Sequence, residues 1–161
     1  MDVLITLLLW VTAISAGIMA GVYFTFSAFV MRSLDAIEAP AGMLAMQSIN
    51  RIIVKSSFLP VFFGSTLSAL IVTVAGALDL SRPGASYMAL GGAAYVIGMF
   101  VVTLVGNVPL NNQLEASEAS GPDGARMWAL YLQRWTAWNH VRTASCTASL
   151  VLLICALVER S

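Results

Sequence analysis

Four long apolar runs constrain this chain more than any other feature of its sequence. About 20 apolar residues cross the hydrocarbon core of a bilayer as a helix, and each run comes close to that length or exceeds it. Only 10% of the residues are charged, against about 25% in a typical soluble domain. The sequence therefore predicts one all-α integral membrane domain over residues 1–161, with spans at about 3–31, 56–78, 85–107 and 139–158.

The connections predict a four-helix bundle with short amphipathic helices beside it. Ala39–Gly42 breaks the first connection, and an amphipathic helix is expected from Met43 to Lys55. In the third connection, Ser120–Gly124 is typical of a loop, and a helix is expected to begin at Met127. Small residues recur along the first and third spans and let helices approach closely, either within the bundle or between copies. A homo-oligomer is therefore an open alternative.

Most polar residues are expected at one mouth of this bundle. Successive spans run in opposite directions, so spans 1 and 3 end on the membrane side where spans 2 and 4 begin. That side collects Gln47, Asn50, Arg51, Lys55, Asn107, Asn111, Asn112, Glu115, Trp135, Trp138, Asn139, His140 and Arg142. The spans carry no charged residue deeper than this, which disfavours an ion or proton pathway. The pattern predicts one polar pocket at one membrane face.

The basic residues predict the orientation. Six of the eight lie on the pocket side, namely Arg32, Arg51, Lys55, Arg126, Arg134 and Arg142. The positive-inside rule then puts the pocket on the cytoplasmic side and both termini outside. We expect the plasma membrane of a bacterium as the location. No basic tract is present, so nucleic acid is not an expected partner.

The start of the fourth span is unusually polar. On a helix, Trp135, Trp138, Asn139 and Arg142 share one face. The uncharged residues 143–158 cover only about 24 Å at 1.5 Å per residue, short of a core of roughly 30 Å. The span is therefore expected to begin near Asn139, inside the edge of the bilayer. An arginine at that depth is a candidate functional residue.

The end of the third span carries a second polar group, Asn107-Val108-Pro109-Leu110-Asn111. Pro109 has no N–H and clashes with the carbonyl four residues earlier, which predicts a kink or a helix end. Two interpretations of the asparagines stay open. Their amides could bond the carbonyls exposed at such a break, or they could be directed into a cavity.

Four motifs in this order resemble the anthrone oxygenase-like family of small four-span membrane proteins, which includes fungal anthrone oxygenases and many bacterial members. The motifs are Gly21-Val22-Tyr23-Phe24-Thr25-Phe26-Ser27, Met46-Gln47-Ser48-Ile49-Asn50-Arg51, Asn107-Val108-Pro109-Leu110-Asn111 and Trp135-Thr136-Ala137-Trp138-Asn139-His140-Val141-Arg142. The resemblance covers nearly the whole chain. It implies an oxygenase-like activity on a hydrophobic polyaromatic or quinone-like substrate, because characterised members oxidise anthrones to anthraquinones.

The residues can be matched to such chemistry. An anthrone carbanion can react with dioxygen without a metal, and it needs a base, donors for the oxyanion and a slot shielded from water. We expect His140, the only histidine and a proton acceptor suited to neutral pH, to act as the base, with Arg142 and Asn139 as donors. The expected substrate contacts are Asn107, Asn111, Trp135, Trp138, Gln47, Asn50, Arg51, Tyr23 and Phe24.

No cofactor is predicted. The lone histidine and the two cysteines, Cys146 and Cys155, do not have the spacing of a metal site, and a haem held by His140 alone stays an alternative. The same inventory also fits a non-catalytic protein that binds or carries a lipid- or quinone-like ligand. In a third interpretation, the asparagines and Arg142 only join helix ends. The expected partners are the bilayer and a hydrophobic small molecule.

Overall fold

The computed structural model describes residues 2–161, and four of its helices are long and apolar enough to cross a membrane. Span 1 is Val3–Asp35, span 2 is Phe58–Leu78, span 3 is Ala85–Glu115 and span 4 is Gly121–Arg160. A fifth helix, Ala39–Ile53, joins spans 1 and 2 and is called the connecting helix below. Every regular element between residues 2 and 161 is helical. The predicted all-α bundle is therefore confirmed, and its four apolar helices are consistent with an integral membrane protein.

The third connection is short because spans 3 and 4 both extend into it. Span 4 has 40 residues, about 60 Å at 1.5 Å per residue and twice the thickness of the hydrocarbon core. The helical residues of the third connection belong to the first turns of span 4 and to the last turns of span 3, Val108–Glu115. They form no separate helix. Trp128 and Tyr131 give the extension an apolar face, and that face is buried against Met43 and Met46 of the connecting helix.

Three π-helical segments interrupt the long helices near the polar end of the bundle. They are Phe26–Val30 in span 1 and Val96–Val101 and Thr103–Asn107 in span 3. Such segments are rare and often occur at functional sites. The sequence predicts a kink or a helix end at Pro109. In the structure, span 3 continues through Pro109, which lies at the start of the α-helical segment Val108–Glu115, immediately after a π segment. At a helix start, the missing proline N–H costs little.

The small residues of span 3 serve contacts within the bundle. A Cβ atom added to Gly92 would lie 2.6 Å from the carbonyl oxygen of Ala69 in span 2, and one added to Gly91 would lie 3.2 Å from Cγ of Leu153 in span 4. Gly21 of span 1, in contrast, has open space around its Cα. Close approach of backbones thus holds spans 2, 3 and 4 together, as small-residue interfaces do in membrane bundles.

Candidate functional site

A cavity of about 190 Å³ lies at the polar end of the bundle and is lined by residues of the four spans and the connecting helix. Its walls are mainly aromatic and aliphatic, and the aromatic residues are Tyr23, Phe26, Phe58, Phe62, Phe63 and Trp135. The polar residues Asn50, Thr103, Asn111 and Arg142 also line it. An engineered protein cavity of about 150 Å³ binds benzene, so this one has room for a small aromatic ring system.

Arg142 is the charged residue of the cavity wall, and it is buried, with 5% of its surface exposed. Its guanidinium carbon lies 4.2 Å from the centre of the Tyr23 ring and 5.1 Å from that of Trp135. Nη2 donates a 2.7 Å hydrogen bond to Oδ1 of Asn139, and Nη1 donates a 3.4 Å bond to Oγ1 of Thr103. The sequence predicts Arg142 inside the mouth of the bundle. There it contacts Tyr23 and Trp135, two of the aromatic residues expected at the site.

Asn139 holds Arg142 in place from behind the cavity wall. It is fully buried, and its Nδ2 donates 2.7 Å bonds both to the carbonyl of Tyr23 and to Oγ of Ser27. Both acceptors belong to span 1, at and just before the π segment Phe26–Val30. Asn139 thus fixes span 4 to span 1 and orients the guanidinium, and it does not itself line the cavity.

A second polar group surrounds the hydroxyl of Tyr131. This hydroxyl donates a 2.8 Å bond to Oδ1 of Asn111 and accepts a 3.4 Å bond from Nδ2 of Asn50. The Tyr131 ring stacks on Trp135 at 5.7 Å, and on its other side it stacks on Trp128 at 5.9 Å. The two cavity-lining amides are therefore oriented by a buried tyrosine, which sequence reasoning missed although residues 128, 131 and 135 have helical spacing.

Three expected substrate contacts touch a neighbouring helix and do not lie on the cavity wall. Nδ2 of Asn107 donates a 3.2 Å bond to the carbonyl of Trp135. Gln47 is buried and donates to the carbonyls of Leu114 and Ser117 at 2.7 and 3.1 Å. Trp138 covers Gly106, where an added Cβ would lie 2.6 Å from the indole ring.

Three other residues of the predicted site lie on the outside of the molecule. Arg51 forms a 2.9 Å ion pair with Glu115, and both side chains are about half exposed. Phe24 is 60% exposed. His140 is exposed as well and does not line the cavity. The structure therefore brings together Tyr23, Asn50, Asn111, Trp135 and Arg142 and leaves these three residues outside.

The aromatic wall from span 2 was not anticipated. Phe58, Phe62 and Phe63 lie in its first turns, and Phe62 packs against Phe100 of span 3 with ring centres 5.5 Å apart. The available signal was their i, i+4 and i+5 spacing at the polar mouth. Within an apolar span, however, such spacing is also what ordinary packing produces.

The donor atoms in this region are mostly nitrogen and hydroxyl groups. No cluster of three or more His, Cys, Asp or Glu side chains that could hold a metal occurs among the residues that the structure describes. Cys146 is buried and Cys155 is partly buried, and both are free. The cavity wall offers no histidine, because His140 lies outside it.

Comparison with known proteins identifies a family. A sequence model of the anthrone oxygenase family matches residues 51–152, which is more than half of the chain. The matched part contains Thr103, Asn111, Trp135 and Arg142 of the cavity wall. No curated protein and no solved structure matches the chain.

Proposed function

Because this chain belongs to the anthrone oxygenase family, we propose that it oxidises a hydrophobic aromatic substrate with dioxygen in the cavity beside Arg142. The observation that carries the proposal is the cavity wall, in which six aromatic rings surround a few polar groups. Small-molecule sites typically combine a mostly apolar pocket with a few polar groups that fix the orientation of the ligand. The cation–π contacts of Arg142 with Tyr23 and Trp135 put a charged donor at the edge of this aromatic surface.

The proposed reaction converts a CH₂ group between two aromatic rings into a carbonyl group. The substrate loses one proton from this carbon, and the carbanion transfers electrons to dioxygen as a C–O bond forms. The peroxide takes up a proton, and water then leaves with the outer oxygen and the second hydrogen of the carbon. One oxygen atom of O₂ thus ends in the carbonyl and the other in water. An aromatic wall that excludes bulk water protects such an intermediate.

The outer side of the cavity supports a lipid-soluble substrate. Phe63 of span 2 and Leu104 and Val108 of span 3 line the cavity but are 53%, 48% and 36% exposed. Span 2 packs mainly against residues 85–101 of span 3, so the two helices leave a side opening between them near the polar end. A substrate dissolved in the bilayer could reach the cavity through this opening without crossing water.

The charge distribution supports the orientation of this site. Six of the eight basic residues lie at the same end of the bundle as the cavity, which by the positive-inside rule is the cytoplasmic side. The proposal therefore has the substrate oxidised at the cytoplasmic edge of the membrane.

The test is oxygen uptake by the purified protein in lipid nanodiscs, with anthrone as substrate and anthraquinone measured as product. Leu104→Trp narrows the side opening and should slow oxygen uptake, because the substrate reaches the cavity less often. Leu67→Trp is the matched control, because Leu67 is also exposed, on span 2, but does not line the cavity. Anthrone binding without protein-dependent uptake would favour a carrier, and the absence of both would overturn the proposal.

A further inference from the structure

We infer that the cavity takes its aromatic ligand as an anion, with the negatively charged oxygen against the guanidinium of Arg142. This inference rests on the proposed function for the identity of the site, and it defines the substrate class more narrowly. The ligand would be a phenolate or an enolate of a small aromatic molecule, not a neutral hydrocarbon or a neutral quinone.

The first observation is an unbalanced buried charge. Arg142 is 5% exposed, and none of the ion pairs between residues that the structure describes involves it. Its partners are the amide oxygen of Asn139, the hydroxyl of Thr103 and two aromatic rings, all of which are neutral. A buried charge without an opposite charge is costly. A ligand that brings a negative charge would remove that cost.

The second observation is a set of hydrogen-bond donors without acceptors at the same corner. Nε of Arg142 and Nε1 of Trp135 are buried and make no hydrogen bond among the residues that the structure describes. Both are N–H groups, which donate and cannot accept. Each belongs to a residue that lines the cavity. Buried polar groups are normally satisfied, so this corner lacks an acceptor, and an oxyanion can accept from several donors.

The third observation concerns the rest of the ligand. Apart from Thr103 and the amides of Asn50 and Asn111, the rest of the cavity is bounded by rings and aliphatic side chains, such as those of Phe62 and Phe26. Such a wall does not solvate a compact inorganic anion, and it favours an anion that is spread over an aromatic system. The enolate of an anthrone is an ion of this kind, and it is also the species whose carbon reacts with dioxygen. The substrate would enter as the neutral molecule and lose its proton to water at the polar end of the cavity, so the cavity wall itself needs no base.

The experiment compares two ligands of the same shape and different charge, 2-naphthoate and 2-naphthamide, by equilibrium binding to the purified protein in nanodiscs. The wild-type protein should bind the naphthoate about tenfold to a hundredfold more tightly, the ratio expected for one charge-assisted hydrogen bond. Equal affinities, or a preference for the amide, would overturn the inference. This comparison uses only the wild-type chain and does not depend on any variant folding.

Variants then assign the preference to Arg142. Arg142→Met should remove the preference for naphthoate, and Arg142→Lys should retain part of it because the charge remains. Arg134→Met is the control: Arg134 is an exposed cation two turns earlier on span 4, and its loss should leave the preference intact. A preference that survives Arg142→Met in folded protein would overturn the inference. Because binding needs no oxygen, a charge preference without oxygen uptake would reject only the proposed oxygenase activity.

Discussion

The amide oxygen of Asn139 accepts a 2.7 Å hydrogen bond from Nη2 of Arg142, one helical turn further along span 4. The amide nitrogen of the same side chain is bonded to span 1, at the carbonyl of Tyr23 and the hydroxyl of Ser27. One buried asparagine therefore sets both the distance between two spans and the direction of the only charged side chain in the cavity wall. Its removal should affect the stability of the bundle as well as its chemistry.

Asn139→Ala removes three hydrogen bonds and leaves Arg142 without its short acceptor. Hydrogen bonds in membrane proteins contribute on average about 0.6 kcal/mol each, so a loss of about 2 kcal/mol in unfolding free energy is expected. Thermal unfolding in detergent measures it. Asn112→Ala is the control, because Asn112 is exposed on span 3 and its loss should leave the unfolding temperature nearly unchanged. Equal effects of the two substitutions would contradict the role given to Asn139.

Two residues on the connecting helix, one turn apart, should differ in their effects on stability. Gln47→Ala removes the two hydrogen bonds from its buried amide to the carbonyls of Leu114 and Ser117, at an expected cost of about 1 to 3 kcal/mol. Arg51→Ala breaks only a half-exposed ion pair with Glu115, and such pairs contribute about 1 kcal/mol or less. Chemical denaturation of the two variants compares them directly. A larger loss for Arg51→Ala would mean that the ion pair, and not the buried amide, fixes this helix.

The indole of Trp138 makes Gly106 a position without room for a side chain. A Cβ there would lie 2.6 Å from a rigid ring, and overpacking of this kind costs about 1 to 3 kcal/mol. Gly106→Ala should therefore lower the unfolding temperature. The same substitution at Gly21, which has open space around it, should be tolerated or slightly stabilising. A stable Gly106→Ala variant would show that Trp138 can move away at little cost.

Tyr131→Phe keeps the stacked ring and removes only the hydroxyl that joins Asn50 to Asn111. The two amides lose their shared partner, so we expect about 1 kcal/mol lower stability and weaker ligand binding from disordered amides in the cavity wall. Tyr87→Phe in span 3 makes the same chemical change at a position where, among the described residues, the hydroxyl makes no hydrogen bond. Ligand affinity that is unaffected by Tyr131→Phe would remove these amides from the binding site.

The fold could be predicted from sequence because it follows from span length and the alternation of direction. The same reasoning gathered the polar residues at one mouth and put Arg142 inside it. Helical spacing also indicated that Trp135 and Arg142 share a face, and they do meet, with the guanidinium 5.1 Å from the indole ring. These predictions depend on distances along one helix, which the sequence determines.

The detailed membership of the site could not be predicted, because it depends on contacts between helices. Trp138 lies on the same predicted helix face as Trp135, yet its indole ring packs on Gly106, outside the cavity. Tyr23 and Phe24 are consecutive on span 1 and therefore point to different sides of the helix, and only Tyr23 lines the cavity. The amide of Gln47 donates hydrogen bonds to carbonyls of the third connection, and no spacing rule indicates such a contact. The predicted role of His140 as a base stays a prediction, and the exposed position of this residue gives it no contact with the cavity.

The most direct test of the central claim is the rate of anthrone-dependent oxygen uptake in Arg142→Gln, Arg142→Lys and His140→Ala, with Arg134→Gln as control. If oxidation takes place in the cavity beside Arg142, the rate of oxygen uptake should fall about a hundredfold or more in Arg142→Gln. Removal of one donor to a developing anion has an effect of this size. Arg142→Lys should recover part of the rate, and the control should keep the wild-type rate. An inactive His140→Ala variant beside a fully active Arg142→Gln variant would contradict the assignment and move the reaction to the outer face of span 4.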